Sequence, residues 1–234
     1  MAYDLKNKEE VELYLKNLNI EYKFGCLSEK NPEVCHLLGD FLESINKDFK
    51  GAAQIYKENC DERKYALSCR KYGNYAFIGK GLDKELWAES YDYLTKGCDL
   101  GDQLSCLNAG VVSTTTEKNG EPVEPMDFKK GITLLERSCT EHGLERACFY
   151  LSSVYLQGVP GHVERNFEEA YRVSVKGCEL GNPQACAYAS LMTRRGDGVE
   201  ANPDLAEAFK QRALALQKAL QNAKHIPFQQ GAGS

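Results

Sequence analysis

No apolar run in this sequence approaches the roughly 20 residues that a membrane-spanning helix needs, which argues against a helical membrane protein. An excess of cationic side chains is also missing. The chain has 29 Lys and Arg against 34 Asp and Glu, for a net charge of −5, so it presents no basic field for nucleic acid or an anionic membrane. There are only four histidines and no Cys-x-x-Cys, which leaves the usual zinc spacings and a thioredoxin-like redox motif unfilled. The start, Met1-Ala2-Tyr3-Asp4 followed by Lys and Glu, carries neither the apolar core of a secretory signal nor the Arg-rich, acid-poor character of a transit peptide. Either a signal has been removed, or the protein reaches its compartment without one.

Cysteine, by contrast, is plentiful and regular. All ten fall into pairs eight or nine residues apart: Cys26 with Cys35, Cys60 with Cys69, Cys98 with Cys106, Cys139 with Cys148, and Cys178 with Cys186. First members step by 34, 38, 41 and 39 residues, a period that marks a solenoid of stacked units sharing one core. Buried free thiols and zinc are the alternatives, but five pairs at nearly fixed spacing favour structural disulfides and therefore an oxidising compartment. On one straight helix, residues nine apart would be about 13.5 Å from each other, whereas a disulfide needs Cα atoms within about 7 Å. The chain must therefore reverse inside each pair. Asn31-Pro32, Gly101-Asp102, Gly143 and Gly181-Asn182-Pro183 supply the turn and cap residues.

The same alignment predicts a helix on either side of each pair. Three residues after the second cysteine stand Leu38, Tyr72, Ala109, Leu151 and Ala189, and six after stand Phe41, Tyr75, Val112, Val154 and Met192. Between them, four after, come the tiny Gly39, Gly73, Gly110, Ser152 and Ser190, so a neighbouring helix is expected to approach closely there. Before the first cysteine, position −11 reads Phe49, Trp87, Phe128 and Phe167; position −8 reads Ala52, Ser90, Gly131 and Ala170; position −5 reads Ile55, Tyr93, Leu134 and Val173. This template laid on the last helix puts Ala206 at −8, Phe209 at −5 and Leu214 where cysteine would stand. A terminal cap has no following helix to clip. Residues 7–18 read as an N-terminal capping helix with Asn7 as N-cap and Glu10 completing a capping box. The array is expected to span 1–222, with repeats at about 26–60, 61–98, 99–139, 140–178 and 179–216. The tail 223–234 is expected to be flexible, and Thr114–Asp127 lengthens the third unit as a surface loop.

Cys-x-x-x-Gly, a Gly-rich turn and a helix ending Lys-Gly-Cys-x-Leu-Gly, seen in Lys96–Gly101 and Lys176–Gly181, resemble the cysteine-stapled Sel-1-like repeat. The resemblance covers roughly Cys26 to Leu214. It implies an all-α, right-handed α/α superhelical solenoid of five helix-pair repeats whose concave face holds a client. The number of pairs, the acidic start and the stretch Glu29–Cys35 resemble the cytochrome c oxidase assembly factor 7 family more than secreted bacterial Sel-1-like proteins, which stand as the other reading.

That resemblance implies a monomer of the mitochondrial intermembrane space, trapped there by the oxidative import machinery. It also implies a non-catalytic scaffold or chaperone that works with proteins building cytochrome c oxidase. Disulfides without a cleavable signal are then consistent, since oxidation itself retains the protein. An alternative within the family is a thiol-disulfide or haem chaperone, for instance for a copper-delivery protein. The redox candidates are Cys26 and Cys35, at the end of the array where fraying is easiest. Haem is not expected to be required. Its axial-ligand candidates are His36, His142, His162, His225, Met126 and Met192, with no local motif selecting among them, and no metal site is expected. His36 is expected as a surface helix residue. Ser44-Ile45-Asn46-Lys47 matches Ser-x-x-Lys but lacks the accompanying elements of a β-lactam-reactive site.

Overall fold

In the computed structural model, the residues described are 3–4, 6–118, 121–122 and 126–224. They form helices α1 (Lys8–Leu27), α2 (Pro32–Phe41), α3 (Phe49–Arg63), α4 (Ala66–Ile78), α5 (Trp87–Asp99), α6 (Gln103–Thr114), α7 (Phe128–Thr140), α8 (Glu145–Gln157), α9 (Phe167–Glu179), α10 (Pro183–Arg195) and α11 (Pro203–Lys224). A single π-helical turn, Leu42–Asn46, continues α2. Glu117–Lys118 and Glu121–Pro122 pair as a minimal antiparallel ladder inside the insertion. The chain divides into two compact units, Met1–Met126 with α1 to α6 and Asp127–Ser234 with α7 to α11. The division falls at the end of that insertion.

Within each unit a helix packs on its neighbours in sequence: α1 on α2 through to α5 on α6, and α7 on α8 through to α10 on α11. Local side chains fix where the helices begin. The carboxamides or carboxylates of Asn7, Asn31, Asp48, Asp102, Asp127, Asn166 and Asn182 accept from backbone N–H groups of the first turn. Asn202 accepts from Leu205 N at 3.0 Å in the same way. Pro32 and Pro183 follow their caps directly, where the missing N–H is harmless.

Two details depart from expectation. The first helix does not stop at Leu18 but runs to Leu27, so that it carries Cys26 and acts as a complete helix of the first stapled pair. Nothing between Asn19 and Leu27 breaks a helix except Gly25, and tertiary packing absorbs it, with a Cβ there falling 2.8 Å from Val34 Cγ1. Glu10 does not close a capping box with Asn7. Its carboxylate accepts instead from Asp4 N at 2.6 Å.

Positions −8 and +3 are packed as the sequence predicts, whereas at −11 Phe49 and Phe167 stand 36% and 37% exposed and Phe128 is buried. At −8, Ala52, Ser90, Ala170 and Ala206 are fully buried, and at +3 the residues from Leu38 to Ala189 are at most 3% exposed. The small residue at +4 faces the next helix. Ser152 Oγ donates to Ala170 O at 3.3 Å, and Ser190 Oγ to Ala206 O at 2.7 Å. Glycine and serine are thus two solutions to one close approach. The first leaves room with hydrogen, and the second adds a bond to the facing backbone.

Candidate functional site

All five cysteine pairs are bridged as the spacing predicts. Cys26 is joined to Cys35, Cys60 to Cys69, Cys98 to Cys106, Cys139 to Cys148, and Cys178 to Cys186, with Cα atoms 4.4 to 4.8 Å apart. Each bridge joins the last turn of one helix to the first turn of the next. One residue inside every bridged loop takes the left-handed conformation: Lys30, Lys64, Gly101, Gly143 and Gly181. Glycine is at ease there and lysine is not. In four of the pairs the residue before the first cysteine lies against the residue before the second. A Cβ on Gly97 would meet Ser105 Oγ at 2.4 Å, beside Cys106, and one on Gly177 would meet Ala185 Cβ at 2.8 Å, beside Cys186. This accounts for glycine in the Lys-Gly-Cys stretches. In the second repeat Asn59 replaces that glycine, and its Nδ2 donates to Ser68 Oγ and to Pro32 O, both at 2.8 Å.

All ten cysteines are buried. Cys69, Cys148 and Cys186, each in the first turn of the second helix of its pair, are fully covered, and Cys106 is 2% exposed. Cys26 and Cys35, the pair singled out for exchange, are 2% and 0% exposed beneath Tyr22, Leu38, Leu42 and Ile55. The most accessible cysteine is Cys98, at 7%. Exchange at any pair therefore requires local opening before a thiolate can attack.

His36 is not a surface residue. It lies in the seam between α2 and the next helix pair, between the rings of Tyr56 and Tyr65 at 5.5 and 5.4 Å. Ser68 Oγ lies 3.0 Å from its Nδ1, and Asp40 Oδ2 is 3.7 Å from its Nε2. Burial lowers its pKa below 6.5, against the pull of Asp40. These three residue types invite comparison with a hydrolytic triad, but Ser68 is fully buried and already accepts from Asn59. No substrate reaches its hydroxyl, and the set is a packed polar cluster.

Of the haem-ligand candidates, Met192 is buried in the core and Met126 is exposed. His162 stacks on Phe128 at 4.8 Å, while His142 sits partly buried just past α7. His225 lies outside the described residues. Among the described residues, no group of three or more His, Cys, Asp or Glu is disposed to hold a metal ion. Ser44 and Lys47 lie exposed at the π turn.

Sequence reading missed the most strongly organised polar surface, a band of tyrosine, lysine and carboxylate across α2 to α5. Tyr56 Oη donates to Asp40 at 2.6 Å, and Lys71 Nζ bridges Asp40 and Glu43 at 2.9 Å each. Lys80 donates to Glu43 at 2.6 Å. One helix pair further on, Glu89 accepts from Tyr72 at 2.9 Å and from Lys57, and Asp61 accepts from Lys96 at 2.8 Å and from Tyr93. The Lys57 ammonium also stands 4.7 and 4.6 Å from the ring centroids of Tyr72 and Tyr93. The partners are 16 to 37 residues apart in the chain, so only the helix-pair stacking brings them together.

Perturbed ionisation concentrates in this band. Burial would raise the Glu43 pKa, but the Lys80 and Lys71 ammonium groups overcome it and bring it down from 4.5 to about 2. Against their own burial, Asp40 is lowered by the Tyr56 hydroxyl and Lys71, Asp61 by Lys96 and Tyr93, and Glu89 by Lys57 and Tyr72. Burial and Glu89 push Tyr72 up to about 12. A carboxylate with a depressed folded-state pKa adds stability that is complete above its unfolded pKa and vanishes as pH falls through the folded one. Unit stability is therefore expected to fall steeply between about pH 5 and pH 2, with Glu43 alone contributing on the order of 2 kcal/mol after a discount for solvent and salt screening. Denaturant midpoints measured against pH check this: Glu43→Gln should lower the midpoint at pH 7 and flatten its acid slope. An unchanged slope would refute the assignment.

Stapled antiparallel helix pairs with a recurring small residue at each close approach define a Sel1-type repeat protein. A family profile described as "Sel1 repeat" matches residues 106–141, 145–182 and 183–217. The crystal structure of a Sel1 repeat protein from Oxalobacter formigenes superposes with a TM-score of 0.69 over 88% of this chain and 83% of that one, at 20% identity, which supports the fold alone. Closer sequence relatives are named for one role. A Drosophila melanogaster protein named cytochrome c oxidase assembly factor 7 homolog is 38% identical over 100% of this chain and 99% of its own length. The Xenopus tropicalis and Homo sapiens proteins named cytochrome c oxidase assembly factor 7 are 40% and 37% identical, each over 93% of this chain and 94% of their own length. The chain belongs to the cytochrome c oxidase assembly factor 7 family.

Proposed function

We propose that the chain is a protein-interaction scaffold for assembly of cytochrome c oxidase, residing in the mitochondrial intermembrane space. The observation that carries this reading is family membership over the full length of the chain. Five buried disulfides accord with an oxidising compartment. No helix among the described residues is long and apolar enough to cross a membrane. The band from Asp40 to Lys96 is the client surface favoured in this reading. Its partly exposed lysines are preordered by their own carboxylate partners, so less side-chain entropy is lost when a protein docks, while Tyr56, Tyr72 and Tyr93 lie buried beneath them. The scaffold acts by binding and needs no reacting group of its own.

Crosslinking in intact mitochondria tests the proposal. Crosslinks from Lys57, Lys71 or Lys96 to oxidase subunits or their assembly proteins are expected, together with protease protection that is lost when the outer membrane is ruptured. Protection that persists until the inner membrane is opened, or crosslinks confined to unrelated proteins, would overturn it.

A further inference from the structure

α11 packs on α10 as α9 packs on α8. Ser190 Oγ donates to Ala206 O at 2.7 Å, just as Ser152 Oγ donates to Ala170 O at 3.3 Å. In the earlier case the groove between the two helices is filled, because α10 lies in it and touches both. Tyr188 of α10 meets Phe149 of α8 with ring centroids 5.5 Å apart. Ala185 closes on Gly177 of α9, where an added Cβ would stand 2.8 Å from its own, and Cys186 is bridged to Cys178.

The groove between α10 and α11 has the same plan. By position, Ala187 stands for Phe149, Ala213 for Gly177 and Leu214 for Cys178. These three residues, with Leu191, line an open groove of about 420 Å³. Leu214 is 51% exposed and Leu191 46%, whereas Cys178 is 1% exposed beneath its partner helix. α9 stops at Glu179, one residue past its cysteine, and the chain turns back into α10. α11 instead runs on to Lys224, ten residues past Leu214, and among the described residues no helix returns to the groove. The groove is a seat for one more helix. The preceding pair shows which kind fits: small or apolar side chains in its first turn, with a bulky apolar one two residues after the cysteine position.

Charge narrows the occupant further. α10 holds Arg194 and Arg195 and no acid, and α11 has no acid beyond Glu207. Over the two helices Lys and Arg outnumber Asp and Glu six to two, in a chain whose net charge is −5. Arg194 and Lys210 line the groove itself. They share one carboxylate, Glu207, at 3.7 and 3.4 Å, and all three side chains are about half exposed. Pairs so exposed are weak, and two cations on one carboxylate leave the rim positive. A helix with acidic flanks is attracted there, and a basic one is repelled.

We propose that the groove between α10 and α11 receives an acidic amphipathic helix of a partner protein, in the position that the second helix of a sixth pair would take. Apolar side chains of that helix cover Ala187, Leu191, Ala213 and Leu214, and its carboxylates meet Arg194 and Lys210. The site lies within Asp127–Ser234. It depends neither on the tyrosine–lysine band nor on the client proposed for that band.

Fluorescence polarisation of a labelled synthetic helix mixed with the full oxidised chain tests it. The probe is an amphipathic peptide of about 16 residues, with alanine and leucine on one face and glutamate on the others. Its counterpart carries lysine in place of glutamate. The glutamate peptide is expected to bind with a Kd between about 1 and 100 μM, and the lysine peptide at least about tenfold more weakly. Leu214→Glu, at an exposed position, should weaken the glutamate peptide at least about tenfold with unchanged melting. Arg194→Glu with Lys210→Glu should reverse the preference between the two peptides. No binding up to about 1 mM, equal affinity for both peptides, or binding that survives Leu214→Glu would overturn the proposal. So would binding that appears only when residues 225–234 are removed, which would give the groove to the chain's own tail. Self-association abolished by Leu214→Glu would give it to a second copy instead and overturn it equally.

Discussion

Loss of all five disulfides is expected to abolish the cooperative thermal unfolding of this protein. Each bridge closes a loop of about ten residues, and the chain-entropy argument gives about 2.5 kcal/mol for such a loop. Five act on separate loops in the unfolded chain, and even with part of the gain lost their sum is on the order of 10 kcal/mol. Net stability of a whole domain is about 5–15 kcal/mol, so the staples contribute an amount comparable to the whole net margin. Circular dichroism melts of the oxidised chain and of a variant with all ten cysteines replaced by serine would measure this. A melting point within about 5 °C of the oxidised chain would show that helix packing suffices and the disulfides serve some other purpose. Because the cysteines are buried, reduction of the native oxidised chain should be slow and limited by opening. The bridge between Cys98 and Cys106, which contains the most exposed cysteine, should open first.

The second large effect concerns a substitution that helix propensity alone would call favourable. Replacing glycine by alanine inside a helix ordinarily stabilises by up to about 1 kcal/mol. Gly39 is the exception, because a Cβ there would stand 2.3 Å from Tyr56 Cε1 and 2.8 Å from its Cδ1 and Cζ. That ring has nowhere to move. Tyr56 is fully buried, its hydroxyl is tied to Asp40, and its edge meets Tyr75 with centroids 5.7 Å apart. Gly39→Ala must therefore push α2 from α3 or break the Tyr56–Asp40 bond, and a loss of about 2–4 kcal/mol is expected. Equilibrium denaturation decides it. A neutral or stabilising result would mean that the two helices separate without cost. Gly73, whose added Cβ would fall 2.7 Å from Cγ and 3.2 Å from the backbone N of the fully buried Leu94, is held as tightly, so Gly73→Ala should show a loss of similar size and the same sign.

Both effects rest on features of very different visibility in the amino-acid order. The cysteine pairs, the turns between them and the buried positions at −8 and +3 are local and periodic, because each repeat must satisfy the same packing with residues a few positions apart. Period and spacing are therefore enough to derive the helix pairs, the staples and the unclipped last helix, in which Leu214 stands 51% exposed where the cysteines are covered. The end of α1 is not legible in this way. Helix propensity from Asn19 to Leu27 is ordinary, and the helix persists there because its far end is clipped and buried against α2.

The candidate surface is legible in part. Its cysteines can be paired from spacing, but the band of Asp40, Tyr56, Lys57, Lys71, Glu89 and Tyr93 reads in sequence as scattered polar residues, and His36 as an ordinary surface side chain. Their meaning depends on partners up to 37 residues away, and ionisation responds to distance and burial rather than to order along the chain. The sequence by itself determined the repeat, the clip between consecutive helices and the small residue at each close approach, since these recur at fixed offsets in every unit. Only the tertiary structure decided which charges meet, which cysteines water can reach and which helix face is left apolar and uncovered, because those properties arise between repeats and have no period of their own.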